Sequence, residues 1–177
     1  MKQKRQSTKP LAPLNRKRGD SSAASVKRRQ VMLVDDHPMT RAGLAQLISK
    51  QPDLQVFCEA GDPAEAFQGL SKLKPDLILT DITMPGRNGL EFIKDLLALD
   101  KGLPILVVSM HDELIYAERV LRAGARGYIM KEAGGEKLLV AIRRVLSGQV
   151  YVSERMSAIL LDALTGHRPR GSGSVPA

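Results

Sequence analysis

The sequence predicts an α/β fold, in which a doubly wound parallel sheet lies between two layers of helices. Three observations lead to this prediction. From residue 31 onward, short aliphatic runs alternate with longer segments in which apolar residues recur every three or four positions. The short runs are apolar at consecutive positions, which is typical of parallel strands buried on both faces. Four of the five runs stop at a polar or charged residue.

Five runs have the length of a strand, and five segments have the pattern of an amphipathic helix. The predicted strands are residues 31–34, 54–58, 77–79, 105–108 and 128–130. The predicted helices are residues 38–50, 63–73, 90–99, 114–123 and 137–146. Pro38 and Pro63 stand in first turns, which tolerate proline. Glycines follow three helix ends, where left-handed caps favour glycine, at Gly102, Gly124 and Gly148.

The connections between these elements limit the topologies that the sheet can have. Right-handed crossovers between parallel strands place helices on both faces of the sheet. We therefore predict a flavodoxin-like (βα)5 sheet with the strand order 2-1-3-4-5. In such sheets ligands bind beyond the carboxyl ends of the strands, near the point where the strand order reverses. The residues that directly follow the strands are accordingly the candidates for a functional site.

A basic tail precedes this domain. Residues 1–29 hold ten Lys or Arg against one acid, Asp20, whereas the rest of the chain holds 17 bases and 18 acids. The tail has too few large apolar residues to offset the entropy of folding, so we predict that it is disordered. Because the positive charge lies in this tail, the folded part is not a uniformly basic nucleic-acid-binding domain. Weak binding to nucleic acid or organelle targeting by the tail remain alternatives to a solvated extension.

Two segments follow the predicted domain of residues 30–149. In residues 150–165 we predict a linker helix that is capped by Ser153 and has an apolar face. That face holds Met156, Ile159, Leu160, Ala163 and Leu164. Such a stripe must be covered by the domain itself, by a second copy of the chain or by an effector domain. Residues 166–177 are rich in Gly, Pro and Ser and are predicted to be a flexible linker.

The composition also limits the location of the protein and its chemistry. Cys58 is the single cysteine, which excludes an intramolecular disulfide and a multi-cysteine zinc site and fits a reducing compartment. No apolar run reaches about 18 residues, and the basic N-terminus lacks the apolar stretch of a signal peptide. We therefore expect a cytoplasmic protein with no membrane partner.

Polar side chains follow four of the predicted strands. Asp35 and Asp36 follow the first strand, Asp81 the third, Ser109 the fourth and Lys131 the fifth. Three carboxylates at one edge of the sheet repel each other unless a cation compensates their charge. Oxygen ligands without a His or Cys cluster favour Mg²⁺, which keeps waters and leaves room for a phosphoryl oxygen. An aspartate can itself be the nucleophile that forms an aspartyl phosphate, with a hydroxyl and a lysine binding the transferred group.

Four strings of residues at these strand ends stand in order along the chain. They are Val34-Asp35-Asp36-His37-Pro38, Asp81-Ile82-Thr83-Met84-Pro85-Gly86-Arg87-Asn88-Gly89, Ser109-Met110 and Tyr128-Ile129-Met130-Lys131. Together they resemble the signatures of the receiver domain of two-component response regulators, over about residues 30–149. The Asp-Asp-His-Pro string and Gly148-Gln149-Val150-Tyr151-Val152-Ser153 are similar to the NarL/FixJ subfamily, whose receivers precede a LuxR-type helix-turn-helix. One departure is Glu132, where many receivers have a proline after the lysine.

The resemblance implies a phosphoacceptor and its metal ligands. Asp81 would accept the phosphoryl group. Asp36, Asp81 and the backbone carbonyl of Thr83 would bind Mg²⁺, and Asp35 would support the ion through water. This assignment makes Mg²⁺ the expected cofactor.

The resemblance also implies residues that bind the phosphoryl group and transmit its presence. Ser109 and Lys131 would bind the phosphoryl oxygens. On phosphorylation Ser109 would move toward the group and Tyr128 would swing inward, which reshapes the face made by the fourth helix, the fifth strand and the fifth helix. Thr83 and His111 match positions that tune the lifetime of the phosphoryl group.

The implied function is a phosphorylation-dependent switch whose partner is a sensor histidine kinase. Phosphorylation would alter homodimerisation or the control of a transcriptional effector domain. The 12 residues after Thr165 are too few for a helix-turn-helix, so we expect no DNA contact by this chain itself. Such a chain is either a fragment of a longer regulator, as the linker-like ending favours, or a natural single-domain receiver. We do not class it as an enzyme, because it accepts and slowly loses its own phosphoryl group.

Three other functions are weaker interpretations of the same residues. A receiver-like interaction module without phosphotransfer usually lacks one of the acids or the lysine, and here all are present. A phosphatase with an aspartyl nucleophile would require an Asp-x-Asp pair after the first strand, and Asp35-Asp36-His37 is not such a pair. Nucleotide or flavin binding would want a glycine-rich phosphate loop there, and the sequence has none.

Overall fold

The structure, a computed structural model, describes residues 27–166. The strands of its main sheet are β1 (Arg29–Val34), β2 (Leu54–Ala60), β3 (Leu77–Thr80), β4 (Ile105–Ser109) and β5 (Gly127–Met130). The helices are α1 (Pro38–Ser49), α2 (Pro63–Leu70), α3 (Gly89–Leu99), α4 (Glu113–Arg122), α5 (Gly135–Leu146) and α6 (Glu154–Thr165). Most of the predicted tail, residues 1–29, and all but the first residue of the predicted flexible linker, residues 166–177, lie outside the described residues.

The five strands are parallel and lie in the order 2-1-3-4-5, which confirms the predicted fold. Alternate residues of each strand point to opposite faces of the sheet. In β1, Met32 and Val34 belong to the core beneath α2, α3 and α4, whereas Val31 and Leu33 belong to the core beneath α1 and α5. Both faces are therefore buried, and this is why the strands are apolar at consecutive positions.

The element bounds differ from the predicted ones by a few residues. Strand β1 begins at Arg29, inside the range predicted for the tail, because the Arg29 N–H donates to the Asp53 carbonyl. Gly124 and Gly148 have positive φ angles after α4 and α5, as predicted. The prediction for Gly102 is wrong, because its backbone is not left-handed and its N–H donates to the Asp100 carboxylate at 2.9 Å.

The chain continues along the open edge of β5 before α6 begins. Tyr151 forms a parallel bridge with Gly127, and Ser153 caps α6 by accepting a hydrogen bond from the Met156 N–H. Met156 is buried and Leu160 packs against the core beneath α4, but three large apolar side chains of α6 stay exposed, namely Ile159, Leu161 and Leu164. The α/β domain thus covers only part of the apolar stripe. Within residues 27–166 no helix has the length and apolar character needed to cross a membrane.

Candidate functional site

The structure brings the predicted site residues to one edge of the sheet. Asp35 and Asp36 follow β1, Asp81 follows β3, Ser109 ends β4 and Lys131 follows β5. These strands neighbour one another in the order β1, β3, β4, β5. Parallel strands end at the same edge, so residues far apart in the sequence become a cluster.

Lys131 joins two of the carboxylates. Its Nζ lies 2.7 Å from Asp35 Oδ2 and 2.7 Å from Asp81 Oδ2, and all three side chains are nearly buried. Burial alone lowers the pKa of Lys131, but the hydrogen bonds to Asp35 and Asp81 outweigh this effect and raise the pKa above its usual value. The ammonium therefore stays charged at neutral pH, and it offers a fixed positive charge beside Asp81.

Asp81 is held by donors on both of its carboxylate oxygens. Its Oδ1 accepts the backbone N–H groups of Ile82 at 2.6 Å and Thr83 at 3.1 Å, while Oδ2 accepts from Lys131. The carboxylate is therefore oriented by contacts within its own loop and across the sheet. Donors in this arrangement also stabilise negative charge on a group that is attached to the carboxylate.

A short hairpin fixes the loop after Asp81. Residues Thr83–Met84 pair with Arg87–Asn88, and Gly86 makes the turn between them with a φ of 80°. Gly89 follows the hairpin and leaves no room for a side chain, since a Cβ there would lie 2.4 Å from the Ile82 carbonyl oxygen. This close approach packs the start of α3 against the residues whose N–H groups hold Asp81.

Asp36 provides an unsatisfied oxygen at the centre of the acidic cluster. Its Oδ1 is buried and has no hydrogen-bond partner in the described part of the chain. His37 Nδ1 lies 2.9 Å from this atom but hydrogen-bonds with Asp35 Oδ1 at 3.2 Å. Burying a carboxylate oxygen without a partner is costly, so this oxygen is suited to a bound cation.

The candidate ligand atoms of the cluster lie close together, at distances slightly wider than those around a bound Mg²⁺ ion. Oxygen atoms of Asp35, Asp36 and Asp81 and a nitrogen of His37 all lie within 4.8 Å of one another. Opposite ligands of an octahedral Mg²⁺ ion are about 4 Å apart, since each lies at about 2.1 Å from the metal. The donor set, dominated by carboxylates, fits a hard cation such as Mg²⁺.

The residues predicted to tune the phosphoryl lifetime also meet. His111 Nε2 lies 2.7 Å from Thr83 Oγ1, and the His111 ring stacks on Tyr116 of α4 at 4.8 Å between centroids. The His111 N–H also donates to Ser109 Oγ at 3.3 Å. The loop between β4 and α4 is thereby connected to the hairpin that follows Asp81.

Tyr128 already points into the protein. Its side chain is fully buried, and its hydroxyl donates to the His111 carbonyl at 2.8 Å. Burial raises the pKa of Tyr128 to about 12, against a smaller opposing effect of a hydrogen bond with Ser109. The Tyr128 side chain is therefore buried and hydrogen-bonded in this structure.

Two further residues lie near the site. His37 is the N-cap residue of α1, as its place before Pro38 suggests, and its ring also lies against both carboxylates that follow β1. Glu113 was not singled out, although it is buried at the start of α4 and accepts the Ser153 N–H at 2.7 Å. The sequence signal for Glu113 was its place in the first turn of a helix, which is an ordinary position for an acid. Nothing local distinguishes it from an exposed capping residue.

Comparison with known proteins supports this description. A family model for the response regulator receiver domain matches residues 31–143. The nitrate/nitrite response regulator protein NarL of Escherichia coli K12 is 38% identical over 140 residues, which are 78% of this chain and 64% of NarL. The oxygen regulatory protein NreC of Staphylococcus haemolyticus is 34% identical, with the same coverage of 78% and 64%. The chain thus spans less than two thirds of the length of these relatives.

A solved structure with the same fold gives a consistent result. The two-component response regulator of the LuxR family from Aurantimonas sp. has a TM-score of 0.72 and 32% sequence identity to this chain. The alignment covers 78% of this chain and 99% of that one. The comparisons therefore agree with the resemblance that the four strings at the strand ends carry.

Proposed function

Because the chain belongs to the response regulator receiver domain family, we propose that it is a phosphorylation-dependent switch of a two-component system. Asp81 is the phosphoacceptor, and a sensor histidine kinase is the donor. The observation that carries this proposal is the environment of Asp81, whose carboxylate lies between Lys131 and two backbone N–H donors. A cation site at Asp36 lies in the same cluster.

The transfer is a displacement at phosphorus. A carboxylate oxygen of Asp81 attacks the phosphohistidine of the kinase, so that an O–P bond forms while the N–P bond breaks. The imidazole leaves and takes a proton from solvent. Lys131 and Ser109 then bind phosphoryl oxygens, because the ammonium offsets the negative charge that the group brings to a buried site and the hydroxyl donates a hydrogen bond to it.

In this proposal the acidic cluster would hold Mg²⁺. Asp36, Asp81 and the backbone carbonyl of Thr83 would be the protein ligands, and Asp35 would support the ion through water. The carboxylates of the three aspartates lie in one cluster. The ion would supply charge neutralisation and orientation for the incoming phosphoryl group. The unsatisfied Asp36 Oδ1 supports this assignment, since it is a buried oxygen that a cation would satisfy.

The response to phosphorylation passes through the loop between β4 and α4. Ser109 ends β4 directly before this loop, His111 lies on the loop, and the Tyr128 hydroxyl donates to the His111 carbonyl. A change at the phosphoryl group therefore alters the face made by α4, β5 and α5. Thr83 and His111 set the lifetime of the aspartyl phosphate in this proposal. Thr83 stands two residues after Asp81, and its hydroxyl lies 2.7 Å from His111 Nε2.

The output is dimerisation or the control of a DNA-binding effector domain. This part of the proposal rests on the named relatives, which are a nitrate/nitrite response regulator and an oxygen regulatory protein. The chain spans 64% of each, so their regulatory activities come to this protein only as a proposal. The chain acts as a phosphoacceptor with slow self-dephosphorylation and not as an enzyme with an external substrate.

The test is the intact mass of the protein after incubation with Mg²⁺ and acetyl phosphate. We expect a gain of about 80 Da, the mass of one phosphoryl group. The gain must be absent from the Asp81→Asn variant and from a sample with EDTA. No gain in folded wild-type protein would contradict the proposal, and it would favour the alternative of a phosphorylation-independent interaction module.

A further inference from the structure

The segment before α6 and the first turn of this helix contact Glu113 and Tyr128, which adjoin the loop of residues 110–112 between β4 and α4. We call residues 150–156 the docked linker. We propose that the docked linker positions this loop, so that docking of the linker and binding of a phosphoryl group at Asp81 favour each other. The inference rests on the proposed function of Asp81. It assigns an effect on phosphoryl binding to residues that lie outside the phosphoryl site.

The docked linker begins as an additional strand on the open edge of the sheet. The Tyr151 N–H donates to the Arg126 carbonyl at 3.0 Å, and the Tyr128 N–H donates to the Tyr151 carbonyl at 2.9 Å. The linker is thus hydrogen-bonded to the backbone of Tyr128, whose side chain reaches the loop between β4 and α4.

Gly127 makes this docking possible. A Cβ at position 127 would lie 2.8 Å from the Tyr151 carbonyl oxygen and 3.2 Å from the Tyr151 Cβ. The Arg144 guanidinium lies over the Tyr151 ring, 5.9 Å from its centroid, which adds a cation–π contact from α5. The edge of β5 is therefore shaped for this segment.

The first contact with the loop is made through Glu113. The Ser153 N–H donates to Glu113 Oε1 at 2.7 Å, and Glu113 is only 7% exposed. Glu113 is the first residue of α4 and directly follows the loop of residues 110–112. A short hydrogen bond to a buried carboxylate is stronger than one between neutral groups. The linker therefore holds the end of the loop where α4 begins.

The second contact is made through Tyr128. Its buried ring belongs to the same apolar core as Met156, and Val152 packs against that core. Its hydroxyl donates to the His111 carbonyl in the middle of the loop. A departure of the linker would uncover this core and free Tyr128 to move, which would release His111.

These contacts fix the loop before a phosphoryl group arrives. His111 Nε2 is hydrogen-bonded to Thr83 Oγ1, and Ser109 Oγ accepts the His111 N–H. The ordered loop is therefore hydrogen-bonded to two residues of the phosphoryl site. A loop that is already ordered loses less entropy when it binds a ligand. By thermodynamic reciprocity, a phosphoryl group that needs the ordered loop also favours the docked linker.

The test replaces Ser153 by proline and by alanine. Proline removes the N–H that Glu113 accepts, and the Ser153 φ of −61° is one that proline adopts. Alanine removes the same capping hydroxyl but keeps the N–H. The main difference between the two variants is therefore the Ser153–Glu113 hydrogen bond, beside the restriction that proline places on the backbone of Val152.

The readout is the affinity for beryllofluoride, a phosphoryl analogue, in the presence of Mg²⁺, measured by calorimetry. We expect the dissociation constant for beryllofluoride to be at least about fivefold higher in Ser153→Pro than in Ser153→Ala, because a hydrogen bond to a buried charge is lost. Hydrogen exchange of residues 109–113 should be faster in the proline variant, and beryllofluoride should slow exchange at the amides of Tyr128 and Tyr151 in the wild type.

A second pair of variants covers the case in which Ser153→Pro does not fold. Glu113→Ala removes the acceptor, whereas Glu113→Gln keeps an oxygen at the same place. We expect the affinity for beryllofluoride to fall in Glu113→Ala and to recover in Glu113→Gln. A merely structural role of Glu113 would lower the melting temperature without this recovery of affinity.

The outcomes separate this inference from the proposed function. If the wild type does not bind beryllofluoride, or if Asp81→Asn binds it equally well, the proposed function fails. If the wild type binds at Asp81 but Ser153→Pro binds as tightly as Ser153→Ala, only the inference fails. Tighter binding by Ser153→Pro would also overturn it, because the linker would then oppose the phosphoryl state.

Discussion

Lys131 Nζ lies 2.7 Å from Asp81 Oδ2 and at the same distance from Asp35 Oδ2. The exposed fractions of the three side chains are 8%, 2% and 4%. One ammonium therefore serves two buried carboxylates that follow different strands. A buried ion pair of this kind adds little to the stability of a protein compared with apolar side chains of similar size. The loss of one partner, however, leaves a buried charge without compensation.

We expect Lys131→Met to be destabilised and to accept the phosphoryl group slowly. Methionine keeps most of the apolar stem of lysine but leaves Asp35 and Asp81 without their shared cation. The free energy of unfolding should fall by about 3 kcal/mol, as is common when one partner of a buried ion pair is removed. Urea unfolding and the rate of mass gain with acetyl phosphate measure the two effects.

Lys101→Met is the matched control for this variant. Lys101 is exposed next to the C-terminus of α3, and its replacement should change the free energy of unfolding by about 0.5 kcal/mol or less. Equal stability of Lys131→Met and Lys101→Met would show that the buried ion pair contributes nothing.

The strand order and the strand ends could be predicted because their signals are local. Runs such as residues 105–108 are apolar at every position and stop at a polar residue, Ser109, so the pattern marks both the strand and its end. Because the strands are parallel, Asp35, Asp81 and Lys131 must lie at one edge of the sheet. The topology thus predicts that they lie near each other, whereas the ion pairs of Lys131 with both carboxylates are seen only in the structure.

Mg²⁺ should stabilise the wild type through Asp36. A ligand that binds only the folded state at 100 times its dissociation constant adds about 2.7 kcal/mol to the free energy of unfolding. Asp36→Asn lowers the charge of the cluster and replaces an oxygen that has no hydrogen-bond partner within residues 27–166. We expect this variant to lose most of the increase in melting temperature that Mg²⁺ causes.

Asp162→Asn serves as the control for the Mg²⁺ measurement. Asp162 is exposed on α6, away from the acidic cluster, so its melting temperature should rise with Mg²⁺ as in the wild type. A Mg²⁺ response of Asp36→Asn equal to that of Asp162→Asn would contradict the assignment of Asp36 as a ligand.

Gly89→Ala should damage the site through the backbone. The new Cβ would lie 2.4 Å from the Ile82 carbonyl oxygen and 2.5 Å from the Ile82 Cα, so the loop after Asp81 must shift. Overpacking of this kind costs about 1–3 kcal/mol of stability. Because Ile82 and Thr83 donate to Asp81, we also expect slower phosphorylation, which intact mass measures over time.

Gly43→Ala is the matched control for Gly89→Ala, and we expect it to raise the free energy of unfolding. Gly43 lies within α1, and a Cβ there would meet nothing within 4 Å. Alanine is the better helix former, so this variant should be more stable by about 0.5–1 kcal/mol. If both variants changed stability in the same direction and by the same amount, the close contact at Gly89 would not be the cause.

The contacts of the linker could not be predicted, because they join residues without local signals. Glu113 and Ser153 are each ordinary residues for the start of a helix. Their hydrogen bond depends on the register in which the chain around Tyr151 pairs with β5. The apolar face of α6 was visible in the sequence, but its three possible partners were not distinguishable. The structure shows that Met156 enters the domain core while Leu164 stays exposed.

Stability should fall between about pH 10 and pH 12, and Tyr128 should cause part of this loss. Burial raises the pKa of Tyr128 from 10.0 to about 12, so in this window the unfolded chain binds fewer protons than the folded protein. The contribution is full below pH 10 and decreases by about 2 kcal/mol as the pH rises through the window. Lys131 adds to the loss, since its pKa is also raised.

Tyr128→Phe removes the tyrosine part of this pH dependence. At pH 8 the variant should be less stable than the wild type by about 1 kcal/mol, because the hydrogen bond to the His111 carbonyl is lost. Toward pH 12 its stability should fall less steeply, so that the two curves approach each other. Urea unfolding at pH values from about two units below to about one and a half units above the usual tyrosine pKa measures both curves. Parallel curves would show that the Tyr128 hydroxyl titrates equally in the folded and unfolded states, contrary to its burial beneath the linker.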